Sequence, residues 1–503
     1  MCVKLVAKIC KDIFYHICVK KYDKEILITP HSSRIYRKWG ITLHKLGLLK
    51  GNDVFFLESF EKYKKAIELE PSNMLSYYNW GAALAALAEM NQDDCLFFES
   101  IEKYKLTIEL RRDNALAWCA WGYSLYRLAE LKFERAFYID SFEKYDEASR
   151  LAPNNALVYR YWGCALSGLA NMDRDEQLYM KSFEKYEKAA NLDKSNAYIY
   201  TDWGNALTGL ARIRQEEKLY LDAVNKYEKA STLNHHDSEL YNEWGNALSE
   251  LAVMKQDNNL FISSIEKFTK ANNLEPYNAV IYYNWGNTLN GLAQMNQDVN
   301  IYYDSIDKYN KSLNIDPANP NVYGGFGNSL LELAIIKNDE NLYLECIEKY
   351  KKALELNPKI DFIYTGWGNS LYELAKIRNE EQLYLESIEK FGLAIKFDPV
   401  DILAYYFGGE AIFCLARIKQ DKMLYYKAIK KFEKAAKLDI NGKIDLYNLA
   451  CLYAIVGEKR KALNTLEGIL KKGGIEVGDV LSDEDWKDYK DDGDFKILMS
   501  RFQ

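Results

Sequence analysis

The stretch Tyr241–Ala252, YNEWGNALSELA, sets a Glu, a Trp, a Gly and an Asn side by side, groups that accept protons, stack, allow close approach and hydrogen-bond. Three other stretches invite a chemical reading. His235-His236 could ligate a metal, GGFGNS at 324–329 imitates a phosphate-cradling loop, and DYKDDGDFKILM at 488–499 imitates a calcium loop. The calcium pattern needs oxygen ligands at its third and twelfth positions, where Lys490 and Met499 stand. The histidine pair brings no third ligand and falls in a linking segment. No nucleotide-binding, HExxH or GxSxG motif is present. No catalytic residue, metal site or cofactor is therefore expected, and the chain reads as a non-enzyme.

The first stretch is not unique. YTDWGNALTGLA lies at 200–211, YYNWGNTLNGLA at 282–293 and YTGWGNSLYELA at 364–375. Trp-Gly pairs begin at 39, 80, 121, 162, 203, 244, 285 and 367, in steps of 41 once Phe326-Gly327 fills the gap. A tenth copy, Gly408-Gly409, keeps the Gly and loses the Trp. An active site is not built ten times; a fixed period of this size marks a stacked array.

Each copy spells two amphipathic helices. Tyr241, Trp244, Leu248 and Leu251 share one helical face, and Leu260, Phe261, Ile265, Phe268, Ala271 and Leu274 another. Asp257 stands at the second helix's N-cap, as do Asp93, Asp175, Asp298, Asp339 and Asp421 at theirs, and Pro276 and its equivalents end the unit. A Gly inside a helix costs about 1 kcal/mol against Ala, so the repeated Gly predicts close approach of the second helix. Glu266 and Lys267 fall off the apolar stripe, and the Lys-rich EKYKKA-type segments read as solvated.

These hairpins resemble the tetratricopeptide repeat (TPR) family, whose pattern W-x2-L-G-x2-Y, A-x3-F, A, P is matched by Tyr241, Trp244-Gly245, Leu248, Ser264, Phe268, Ala271 and Pro276. The Gly245-to-Ser264 spacing exceeds the family's by seven residues, which predicts about one extra turn on each helix. The resemblance implies an all-α, right-handed superhelical solenoid of antiparallel helical hairpins. The reading divides the chain into a partial first repeat (1–30), ten 41-residue repeats (31–440), an ordinary-length repeat (441–473) and a C-terminal cap (474–503). In that cap Trp486, Phe495, Ile497 and Leu498 are expected to cover the last apolar face. Residues 11–30 match 52–71 slot for slot, and 4–10 fall on 45–51, the end of a first helix. We expect a half-repeat serving as an N-terminal cap; an array that continues upstream is the alternative.

Five successive copies carry Asn after the slot Gly: Asn205, Asn246, Asn287, Asn328 and Asn369. The resemblance places this slot on the concave face, where a carboxamide ladder can pair with an extended peptide backbone. Elsewhere the slot holds Ile41, Ala82, Tyr123, Cys164 and Glu410. The family's carboxylate clamp needs basic residues beside the Asn run. They are absent there, and Arg37, Lys38 and Arg160 lie outside it.

A net charge of −7 with mixed signs argues against phosphate-driven nucleic-acid binding. Nine cysteines without a CxxC read as free thiols, with Cys2, Cys10 and Cys18 packing along a helix. No membrane span or export signal is legible, so a cytoplasmic address is expected. The expected function is a scaffold binding protein segments along the concave face, with self-association into end-to-end filaments as the alternative.

Overall fold

The computed structural model describes residues 2–439, 442 and 444–502, without the side chains of 2–12, 14 and 361. All the described secondary structure is helical. Two compact units, Met1–Met254 and Lys255–Gln503, make up the chain. Each is a stack of helix pairs in which a helix packs on its partner in the pair, as Ala197–Arg214 does on Glu217–Leu233, and most pairs pack on the next.

The pairs are uniform. From Met74–Asn91 to Ile402–Lys419 the first helix has 18 residues, and from Asp53–Leu69 to Lys422–Leu438 the second has 17. Two residues join them, so the seven extra residues of each copy lie in helix. The first linking residue adopts the left-handed conformation, and at nine positions from Gln92 to Gln420 it is not glycine, with φ of 49–53°. The second is the N-cap. Asp93 accepts from the amides of Cys95 and Leu96, while its own amide reaches back to Ala88 O at 3.0 Å. One dipeptide thus closes one helix and starts the next. Asp175, Asp257, Asp298, Asp339 and Asp421 cap in the same way. The first helices also have caps that the sequence reading missed, among them Asn73, Asn196 and Asn319.

The repeated Gly answers to an aromatic ring. A Cβ at Gly40, Gly163, Gly204 or Gly327 would lie 2.6–2.7 Å from the ring of Tyr63, Tyr186, Tyr227 or Tyr350 on the second helix of the same pair. These tyrosines are almost fully buried. Contact of helix with ring therefore offsets the helix-propensity cost of Gly.

The solvated reading of the charged segments fails at one slot. Lys62, Lys103, Lys185 and Lys226 lie over Trp39, Trp80, Trp162 and Trp203 at 3.5–4.2 Å, as do Lys308 and Lys390 over Trp285 and Trp367 at 4.6 Å. The methylene stem covers the ring and the ammonium meets its face. Burial lowers the pKa of Lys185 and Lys226. Lys267 occupies this slot, whereas Glu266 is exposed as expected.

The ends differ from the repeats. Cys2–Ile28 is one continuous helix, without the break that the match of 4–10 to 45–51 anticipates. That break is made elsewhere by left-handed Gly51 and the capping side chain of Asn52. Cys10 and Lys11 hold those slots and supply neither. The side chains of Cys2 and Cys10 lie outside the described residues, and Cys18 is half-buried. Towards the C-terminus the pair Tyr447–Ile455 and Lys459–Lys471 is shorter, with 9 and 13 residues. Trp486, Phe495 and Leu498 pack into its core, whereas Ile497 is exposed.

Candidate functional site

The five asparagines lie in the middle of first helices, where the slot Gly brings the second helix's aromatic residue beneath them. In the unit 1–254, the Tyr227 hydroxyl donates to Asn205 Oδ1 at 2.8 Å. In the unit 255–503, Tyr309 and Tyr350 do the same to Asn287 and Asn328 at 2.7 Å. Asn205 and Asn287 are exposed and Asn328 is half-buried. Each of these carboxamides thus has its oxygen held from below and its Nδ2 directed elsewhere. Asn246 instead bonds the Glu243 carboxylate of its own helix. Asn369 faces Phe391, which has no hydroxyl, and its buried Oδ1 has no hydrogen-bond partner. The tyrosine beneath the ladder was missed in the sequence, although its spacing of 22 residues from the Asn is constant.

Around Asn205 the surface is charged and internally paired. A cavity of about 230 Å³ is lined by Glu130, Asn171, Asp202, Asn205 and Arg212 among others. Glu130 accepts from Tyr126 at 2.8 Å and from Arg127 at 2.5 Å, and burial raises its pKa. Asp202 takes Arg160 at 2.6 Å and the Cys164 thiol at 3.2 Å. Arg212 forms a fork on Glu250 at 2.6–3.0 Å, joined by Tyr220 at 3.1 Å. The forked pair holds its two side chains in one geometry.

In the unit 255–503 a larger pocket, about 680 Å³, contains Asn328 and Asn369. Leu331, Ile335, Phe362 and Leu403 supply apolar walls, and Glu332, Asp398 and Asp401 supply carboxylates. Asp401 accepts from Thr365 Oγ1 at 2.5 Å and from the Ala404 amide at 2.9 Å. Asp398 accepts from the Val400 amide at 3.0 Å. Glu332 meets Gln294, and burial raises its pKa. No Lys or Arg lines this pocket among the described residues.

No family model and no curated protein matches the chain. Solved structures do. A crystal structure of YrrB, described as a TPR protein with an unusual peptide-binding site, is 16% identical with a TM-score of 0.29, covering 44% of this chain and 96% of that one. Yeast Tom70 is 15% identical at a TM-score of 0.32, over 80% of this chain and 92% of its own. The C-terminal part of a TPR repeat-containing protein from Cytophaga hutchinsonii is 14% identical at 0.36, over 56% and 97%. Within each unit of this chain, antiparallel helix pairs stack on one another, and most are keyed by Gly against an aromatic ring. The fold is an all-α helical-hairpin repeat.

The remaining candidates fall into place within these helix pairs. Gly324, Gly325 and Gly327 lie inside the helix Pro320–Lys337, so GGFGNS forms no loop. His235 and His236 sit between repeats with ring centroids 4.2 Å apart. In 488–499, Asp492 caps the helix Gly493–Ser500 and pairs with Lys459 at 2.7 Å, so it serves as a cap. At the slots flanking the Asn run, Cys164 bonds Asp202, and Glu410 accepts from Tyr372 at 2.9 Å and Asn448 at 2.7 Å. Among the described residues, no helix is long and apolar enough to cross a membrane.

Proposed function

We propose that this TPR-like chain is a non-catalytic scaffold binding extended protein segments along its concave, first-helix face, with Asn205, Asn246, Asn287, Asn328 and Asn369 as the peptide-binding residues. The observation that carries the reading is the tyrosine hydroxyl beneath Asn205, Asn287 and Asn328. It fixes the carboxamide rotamer before any partner arrives and leaves the amide hydrogens to meet backbone carbonyls. Pre-organised donors lose less entropy on binding than free side chains do.

Each net hydrogen bond contributes about 0.5–1.5 kcal/mol, so removing one Asn should weaken a bound segment about tenfold or less, and removing three should nearly abolish capture. The test combines Asn246→Ala, Asn287→Ala and Asn328→Ala and compares partners captured by the intact and altered chains. Helical circular dichroism should persist, with a small drop in melting temperature because Tyr309 and Tyr350 lose their acceptors. Unchanged capture by a folded triple variant would move the binding surface elsewhere.

A further inference from the structure

We propose that the pocket around Asn328 and Asn369 docks a segment in which a lysine or arginine accompanies a bulky apolar side chain. This rests on the reading that the first-helix face binds extended segments, and it names the chemistry of the segment.

Two observations define that chemistry. The first is the apolar rim. Ile335, Phe362 and Leu403 are 43%, 43% and 55% exposed around a pocket of about 680 Å³, large enough to enclose a leucine or phenylalanine side chain. The second is uncompensated acid. Glu332, Asp398 and Asp401 line the same pocket, and among the described residues no basic side chain does. The unit 1–254 shows what compensation looks like at matching slots. Glu250 stands two repeats before Glu332 and receives the Arg212 fork, whereas Gln294 takes the place of that arginine for Glu332. A carboxylate held against apolar walls favours an incoming cation more strongly than a solvated one does, because less water screens the pair. An acidic segment would place like charges together, and a polar one would leave the rim uncovered.

The probe is a displayed library of random peptides selected on the full-length chain, followed by fluorescence anisotropy with a labelled winner. Winners should pair Lys or Arg with Leu, Ile or Phe. Binding should fall at least tenfold in a Glu332→Gln, Asp398→Asn double variant that keeps its helical signal, and stay unchanged in Glu130→Gln. Winners that are acidic or uncharged, or whose binding ignores the two acids, overturn the inference. If such winners still depend on Asn328 and Asn369, the backbone-reading surface stands and only its charge preference falls. Basic apolar winners that depend on the acids but not on the asparagines leave the inference standing and remove the ladder. A selection that enriches no sequence counts against both.

Discussion

The surroundings of Asn205 and of Asn328 come from the same slots of the same repeat, and they differ in how their charges end. Near Asn205 each acid has a base or hydroxyl of its own chain, with Arg160 on Asp202, Arg127 on Glu130 and Arg212 on Glu250. Near Asn328 the acids are answered by Thr365, backbone amides and Gln294. Beneath both faces the buried parts are alike, with Gly against tyrosine and lysine over an aromatic ring. A repeat scaffold can therefore hold its packing constant while its exposed slots change from a closed charge network to an open one.

If the buried parts are equivalent, Trp203→Ala and Trp367→Ala should cost about the same, roughly 3–5 kcal/mol each, read as faster amide exchange in the surrounding helices. A large gap between the two would break the comparison at its base. Glycine gives a sharper contrast within one method. Gly204→Ala and Gly327→Ala drive a Cβ to 2.6 Å from a buried tyrosine ring and should cost about 1–3 kcal/mol each. Gly392, in the helix Glu381–Phe397, has no atom near its Cβ position. Gly392→Ala should therefore stabilise by about 1 kcal/mol, and urea midpoints distinguish the two signs.

Exchanging the surface slots tests the difference directly. Arg212→Gln should cost only about 0.5–1 kcal/mol, since the pair is partly exposed and screened. The converse Gln294→Arg should supply Glu332 with a cation and weaken basic-peptide binding about tenfold, an effect of roughly 1.4 kcal/mol. Binding unaffected by this substitution would separate the charge contrast from recognition. An effect as small as that of Arg212→Gln, but of opposite sign, belongs to Phe391→Tyr. It should give Asn369 the hydroxyl that Asn205, Asn287 and Asn328 already have, raising stability by about 0.5–1 kcal/mol. A melting temperature that does not rise would mean that the Asn369 carboxamide is satisfied some other way.

Much of the hairpin was legible because its signals are local and repeat. The Asp caps, the Gly slot and the helical placement of the extra residues follow from spacing alone. Residue type misled where two chemistries share one side chain. Lys226 and its equivalents read as solvated because lysine is charged, yet their stems and ammonium groups pack on tryptophan. The carboxamide ladder read as able to pair with a peptide backbone, but Asn205, Asn287 and Asn328 each have the oxygen already engaged. Glutamine and asparagine in left-handed turns went unread because glycine is the usual sign of that conformation. The pockets were invisible in the sequence, since Leu331, Phe362 and Leu403 meet only through stacking of successive repeats.

Most of the longer side-chain ties, within a repeat or between neighbours, join residues from 19 to 42 positions apart, as in Thr208 to Tyr227, Tyr309 to Asn287, Ser305 to Ser329, Arg378 to Glu340 and Arg160 to Asp202. For folding kinetics, this means that the chain closes loops of about one repeat at a time, and closure entropy grows only slowly with loop length. Such local topology favours fast folding. Nucleation can begin at whichever adjacent pair of hairpins forms first and spread in both directions. As the polypeptide leaves the ribosome, each hairpin can dock on its predecessor without waiting for a distant partner to be synthesised.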